Sequence, residues 1–135
     1  MPPKMAVCFH KQMRWEALAY SSLASLGGVV HDFISKLKQI YPEKQIVIIT
    51  GAAKGADQLG SFYARNHNIP LKEFPADWTT YGKAAGPIRN QQMLDFALHE
   101  IPALIVFWDG ESRGTKNMMN IAKRHNVQTE TVLIQ

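Results

Sequence analysis

At 135 residues the chain has the size of one domain, with no residues to spare for a second core. Its 46% apolar and 19% charged residues are globular proportions and exclude a disordered, collagen-like or coiled-coil chain. A net charge of +4 is mildly basic, which suits phosphate-bearing small molecules as well as it suits nucleic acid.

The first apolar run, Met5–Phe9, holds the only cysteine, Cys8, so no internal disulfide forms and a buried reduced thiol is expected. The opening Met-Pro-Pro-Lys lacks the apolar core of a signal peptide. The longest uncharged run, Ala17–Val30, contains serines, glycines and a tyrosine and is too short and polar to span a bilayer. A cytoplasmic protein without membrane association is expected. Trp15, Leu18, Ala19, Ser22, Leu23 and Leu26 make a helical stripe ending at Gly27-Gly28, which predicts an additional helical segment at about 11–28 before the first crossover helix. Its apolar face would serve equally as an oligomer contact, and a homo-oligomer, dimer or higher, is expected.

Further along, Val30, Phe33, Ile34, Leu37 and Ile40 recur at helical spacing, as do Leu59, Phe62 and Tyr63. Two more helices are predicted, at Asn90–His99 with Met93, Leu94 and Ala97 inward and at Lys116–His125 with Met118, Met119 and Ala122 inward. Between them Ile46–Thr50, Leu71–Phe74, Ala103–Trp108 and Thr131–Ile134 are apolar, β-branched runs, mostly continuous rather than alternating, as strands buried on both faces are. Strands alternating with helices give an α/β fold, a Rossmann-like three-layer sandwich with a mostly parallel sheet of about five strands.

Three loops carry the chemistry. After the second strand, Thr50-Gly51-Ala-Ala-Lys54-Gly55-Ala-Asp57 is a glycine turn into a helix, where backbone N–H groups and the helix dipole favour an anion. Lys54 adds charge and Asp57 suits a helix cap; by itself this loop also fits a plain tight turn. After the fourth strand, Asp109-Gly110-Glu111-Ser112-Arg113-Gly114-Thr115 repeats the pattern, with two hydroxyls and a guanidinium fork suited to phosphate. Both loops leave the carboxyl ends of parallel strands, where ligands bind in open α/β sheets. The third stretch, Phe74–Asn90, is a long link of about fourteen residues in which Asp77, Trp78 and Tyr81 precede Lys83, Arg89 and Asn90. Its aromatics would stack on a base or pin the loop to the body, and its cations would hold phosphates.

At these loops the sequence resembles the SLOG superfamily, the Rossmann-like group containing the DprA/SMF and LOG proteins, and in particular its small stand-alone branch related to YspA. The resemblance lies in T-G-A-A-K-G-A-D at Thr50–Asp57, F-P-A-D-W-x-x-Y-G-K-A-A-G-P-I-R-N at Phe74–Asn90 and W-D-G-E-S-R-G-T at Trp108–Thr115. It implies one nucleotide-binding domain over 1–135, with a nucleotide or nucleotide-derivative pocket built from the glycine loops, and small members in bacteria and phages. Two departures stand out. Relatives usually carry a Gly-Ser-Arg type loop after the first strand, where this chain has His10-Lys11-Gln-Met-Arg14, so that Lys11 and Arg14 are left to face the phosphate. LOG phosphoribohydrolases place a catalytic glutamate three residues after the Gly-Thr of their loop, a position occupied here by Met118, which is neither acid nor base.

The expected function is therefore binding of a nucleotide-derived, ADP-ribose-like signal by a sensor or sequestering protein, in keeping with a phage-encoded anti-defence role. One alternative is a hydrolase of nucleotide N-glycosidic or phosphate bonds that uses Asp77, Asp109 or Glu111. Another is DprA-like nucleic-acid binding, because Gly55-Ala-Asp57 resembles the Gly-Ile-Asp of that family; scattered cations and a modest net charge weigh against it. His10, His31, His67, His99 and His125 show no paired ligand spacing and are expected at the surface or in packing, so neither metal nor cofactor is expected.

Overall fold

The computed structural model describes residues 3–11, 20–51, 56–108 and 110–133, and the side chains of all of these except 11, 20–26 and 56–59. Five strands, β1 (Met5–Lys11), β2 (Ile46–Thr50), β3 (Leu71–Glu73), β4 (Ile101–Trp108) and β5 (Gln128–Leu133), form one sheet in the order β3-β2-β1-β4-β5. Every neighbouring pair is parallel. The helices are α1 (Tyr20–Ile40), α2 (Ala56–Asn66), α3 (Trp78–Tyr81), α4 (Ala85–Leu98) and α5 (Arg113–Arg124), with a 3-10 turn at Gly82–Ala84 between α3 and α4. This is the α/β, Rossmann-like arrangement that the alternation of elements predicts.

The strand order makes the chain move one way from β1 to β3 and the other way from β4 to β5. Right-handed crossovers then place α1 and α2 on one face and α4 and α5 on the other. The core divides accordingly. Met5, Val7 and Phe9 of β1 pack with Val30, Phe33, Ile34 and Leu37 of α1 and with Tyr63 and Ala64 of α2. Ala6 and Cys8 pack with Met93, Leu94 and Ala97 of α4 and with Met118, Ile121 and Ala122 of α5. Burial pushes the Cys8 thiol up to about 12, so it stays protonated, as its apolar surroundings predict. β1, β2 and most of β4 are buried on both faces, whereas β3 and β5 are edges with mainly exposed residues.

The structure departs from the sequence reading in several places, among them α4 and α5, which begin at Ala85 and Arg113 rather than at the expected Asn90 and Lys116. α1 runs without a stop through Gly27 and Gly28, where a helix end was expected. Neither glycine has the positive φ of a helix-terminating residue, and the buried stripe from Val30 to Leu37 outweighs the about 1 kcal/mol that each interior glycine costs. Of the expected helical segment at 11–28, Lys11 ends β1, residues 12–19 lie outside the described residues, and 20–28 belong to α1; the proposed oligomer stripe therefore falls largely outside what is described. Ile40 and Phe62, placed inward by periodicity, are 51% and 52% exposed. β5 begins at Gln128, three residues before the expected Thr131, because a polar edge strand carries no apolar signal until Val132.

Gly60 on α2 faces the Phe9 ring so closely that a Cβ there would lie 2.7 Å from Phe9 Cγ. Gly28 has nothing within 4 Å of that position. Gly60→Ala is therefore expected to lower stability, since overpacking a filled core costs about 1–3 kcal/mol and exceeds the helix gain. Gly28→Ala is expected to raise it by about 1 kcal/mol. Urea unfolding of the two variants checks the opposite signs.

Candidate functional site

Because β1 and β4 are adjacent but lead in opposite directions, the crevice at their carboxyl ends is the switch point of the sheet. The alternation that turns Ala6 and Cys8 toward α4 and α5 turns His10 the same way. His10 is 3% exposed and closes the apolar column with a polar group. Its Nε2 lies 3.1 Å from Asn90 Oδ1 on α4, and its Nδ1 lies 3.2 Å from Thr115 Oγ1 on α5.

Asn90, itself 1% exposed, is the hub. Its Nδ2 donates to the Gly114 carbonyl at 3.2 Å and to Asn117 Oδ1 at 3.1 Å. Its Oδ1 also accepts from Arg89 Nε at 3.2 Å. Arg89 Nη1 in turn donates to the Gly51 carbonyl at 2.8 Å, and the guanidinium occupies the space that any Cβ at position 51 would need. Glycine at the end of β2 thus permits this close approach of Arg89. One chain of hydrogen bonds links β2, α4, β1 and α5 beneath the crevice.

The β4–α5 turn stands at its upper end. Gly110 takes φ +89°, a conformation that favours glycine. Ser112 caps α5, its Oγ accepting from Thr115 N at 3.3 Å. Trp108 Nε1 donates to the Ser112 carbonyl at 3.1 Å and holds the turn against the end of β4. The first amides of α5, at Arg113 and Gly114, point along the helix axis toward the carboxyl end of the sheet. Arg113 is exposed there and Thr115 is fully buried.

The sequence-predicted residues divide into three groups. Thr50, Gly51, Arg89, Asn90, Ser112, Gly114 and Thr115 are brought together, with Gly110 and Arg113 in the same turn. Within this group Arg89 and Asn90 are engaged with the protein itself: they build the floor. Asp77, Trp78, Tyr81 and Lys83 form a second group on α3 and the following 3-10 turn. Trp78 and Tyr81 are 60% and 49% exposed, and the Trp78 ring leans over Gly86 in the first turn of α4. The long link expected here is thus folded into short helices. Asp77 is the cap of α3: its Oδ1 accepts from Thr80 N at 3.0 Å, and hydrogen bonds from the Thr80 side chain and backbone hold its carboxyl below the ordinary value. Lys54, Gly55, Asp109 and Arg14 lie outside the described residues, as do the side chains of Lys11 and Asp57.

His10 and Asn117 were missed. Nothing in spacing marks them, although a histidine closing an apolar strand at its carboxyl end is a legible oddity, because an unpaired polar group there is costly. Met118 is fully buried among the α4 and α5 core residues, so its thioether faces the sheet.

Residues 28–81 match the model of the YAcAr family, described as the YspA, cpYpsA-related SLOG family. Over this stretch the chain is similar to the SLOG family. The match runs from α1 through β2, α2 and β3 to α3. It therefore covers the first motif and the start of the second, but not the β4–α5 turn. The chain is also similar to the Gene 61 protein of Mycobacterium phage D29, at 29% identity over 87 residues, which is 61% of this chain and 67% of that protein. No solved structure matches. Among SLOG proteins the general expectation is a nucleotide-related small-molecule ligand. No helix among the described residues is long and apolar enough to cross a membrane, and no group of three metal-ligating side chains occurs among them.

Removing the Asn90 amide would take away the acceptor shared by buried His10 Nε2 and half-buried Arg89 Nε, and the two hydrogen bonds it donates to Gly114 and Asn117. At about 1 kcal/mol for each lost hydrogen bond, Asn90→Ala is expected to lose about 3 kcal/mol of stability. Urea denaturation of the variant measures the loss.

Proposed function

We propose that the crevice over β1 and β4 binds a nucleotide-derived, ADP-ribose-like ligand, and that the protein acts by holding this ligand, as a sensor or a sequestering protein. A phage anti-defence role fits that reading and the phage relative. The observation that carries it is the α5 N-terminal turn at the switch point, capped by Ser112, flanked by Arg113 and braced from below by Thr115, Asn90 and His10. Such a turn offers oriented amides and a positive dipole end to a phosphate, while Arg113 supplies a two-pronged partner. The exposed rings of Trp78 and Tyr81 offer a face on which a base would stack, and Lys83 follows them.

Holding rather than hydrolysis is favoured by the carboxylates. The position at which LOG enzymes carry their glutamate is Met118, turned into the core. Asp77 is occupied as a helix cap. A charged group beside the ribose, which would steady a developing positive charge as the glycosidic bond breaks, would have to come from Asp109 or Glu111.

Calorimetry with ADP-ribose, and with ribose 5-phosphate for comparison, tests the reading. ADP-ribose is expected to bind more tightly than the base-free sugar phosphate and to be recovered unchanged after long incubation. Arg113→Ala is expected to weaken it about tenfold to a hundredfold, the worth of a charge-assisted hydrogen bond. Equal affinity for both compounds would remove the base contact. Release of free base or ribose 5-phosphate over many turnovers, lost in Glu111→Gln or Asp109→Asn, would make the protein a hydrolase.

A further inference from the structure

His10 is a titratable side chain enclosed directly beneath the crevice, and simple binding gives its proton no role. Its protonation pattern follows from its neighbours. Asn90 Nδ2 faces the Gly114 carbonyl, so Oδ1 is the atom turned to the imidazole, and it accepts from both His10 Nε2 and Arg89 Nε. Nε2 therefore carries a hydrogen, and Nδ1 is the nitrogen at which a proton is gained or lost. Nδ1 lies 3.2 Å from Thr115 Oγ1, which lies 3.4 Å from Ser112 Oγ. Thr115 is fully buried and Ser112 half-buried, so the two hydroxyls lead from the imidazole to the cap of α5.

We propose that Ser112, Thr115 and His10 form a proton relay that couples ligand binding in the crevice to proton uptake. The inference rests on the crevice being the ligand site. With the imidazole neutral, Thr115 donates to Nδ1 and Ser112 donates to Thr115, which turns both hydroxyl hydrogens inward. On uptake, hydronium or the protonated buffer gives a proton to Ser112 Oγ and is left as water or buffer base, the Ser112 hydrogen passes to Thr115 Oγ1, and the Thr115 hydrogen passes to Nδ1. The products are an imidazolium and two intact hydroxyls. Each hydroxyl now donates the opposite way, so Ser112 presents its hydrogen to the crevice, where a phosphate oxygen can accept it.

The surrounding charges favour the coupling. From α4, the Arg89 guanidinium shares Asn90 Oδ1 with His10, so a second positive charge beside it is best accommodated when a ligand anion is present. On β1 itself, Cys8 faces the same layer and remains a neutral thiol. From β2, Thr50 and Gly51 bring no titratable group. In the β4–α5 turn, Glu111 and Arg113 bracket Ser112 and are exposed. Linkage is reciprocal: if the ligand favours the proton, the proton favours the ligand by the same factor.

ADP-ribose is a suitable probe, because its bridging diphosphate does not titrate near neutrality. Calorimetry in two buffers of different ionisation heat gives the protons taken up per ligand bound, at about pH 6 and about pH 8 to bracket the histidine range. The expected result is uptake of up to about one proton per ligand, with affinity falling by up to about tenfold per pH unit across the coupled range. In His10→Gln, which keeps a donor and an acceptor in place but does not titrate, and in Thr115→Val, which interrupts the relay, the uptake is expected to vanish. Binding with buffer-independent heat in the unaltered protein would overturn the relay while leaving the crevice reading intact, as would undiminished uptake in His10→Gln. Failure of ADP-ribose to bind at either pH would overturn the crevice reading and the relay with it.

Discussion

A parallel sheet buried on both faces leaves little room for polar side chains, and this one places three at the end of β1. His10 follows Ala6 and Cys8 into the layer beneath α4 and α5, Asn90 comes down from α4, and Thr115 comes from the first turn of α5. Each is at least nine-tenths buried, and each would be costly there without partners. The solution is mutual. Asn90 uses both amide hydrogens and accepts two donors, so the helices that contribute these residues can approach β1 in only one arrangement. That constraint sets where the α5 N-terminus stands, and hence where the crevice opens.

Arg89 extends the same logic to β2. Sequence alone offered it, with Lys83, as a cation for phosphate beside the aromatics of the same stretch. In the folded chain its Nη1 is spent on the Gly51 carbonyl and its Nε on Asn90, which ties the first glycine loop to the second. The absent Cβ of Gly51 is what permits the contact. Two loops far apart in sequence therefore share one support, and the crevice reading draws on both.

Much of the architecture was legible because it rests on strong, local signals. The continuous apolar runs at Met5–Phe9, Ile46–Thr50 and Ala103–Trp108 are the strands buried on both faces, and the helical stripes at Val30–Leu37 and Met93–Ala97 are the ones that cover them. Errors arose where tertiary packing outweighs local propensity, as in α1 running through Gly27-Gly28, or where an edge strand is polar, as at the start of β5. The glycine turns at Gly51 and Gly110 were readable from residue types alone, whereas the cap at Ser112 was not, since the helix was expected to start at Lys116. The hydrogen-bonded floor was not, since His10, Asn90 and Thr115 are separated by 80 and 105 residues measured from His10, and only the fold joins them.

The most direct test of this account is a map of backbone amide shifts in the NMR spectrum as ADP-ribose is added. The largest changes are expected on Thr50 and Gly51, on Arg89 and Asn90, and on the turn from Gly110 to Thr115, with a smaller response at Trp78 and Tyr81. Changes centred instead on the open groove between α5 and β5, around Met119, Lys123 and Thr129, with the crevice residues unmoved, would contradict it.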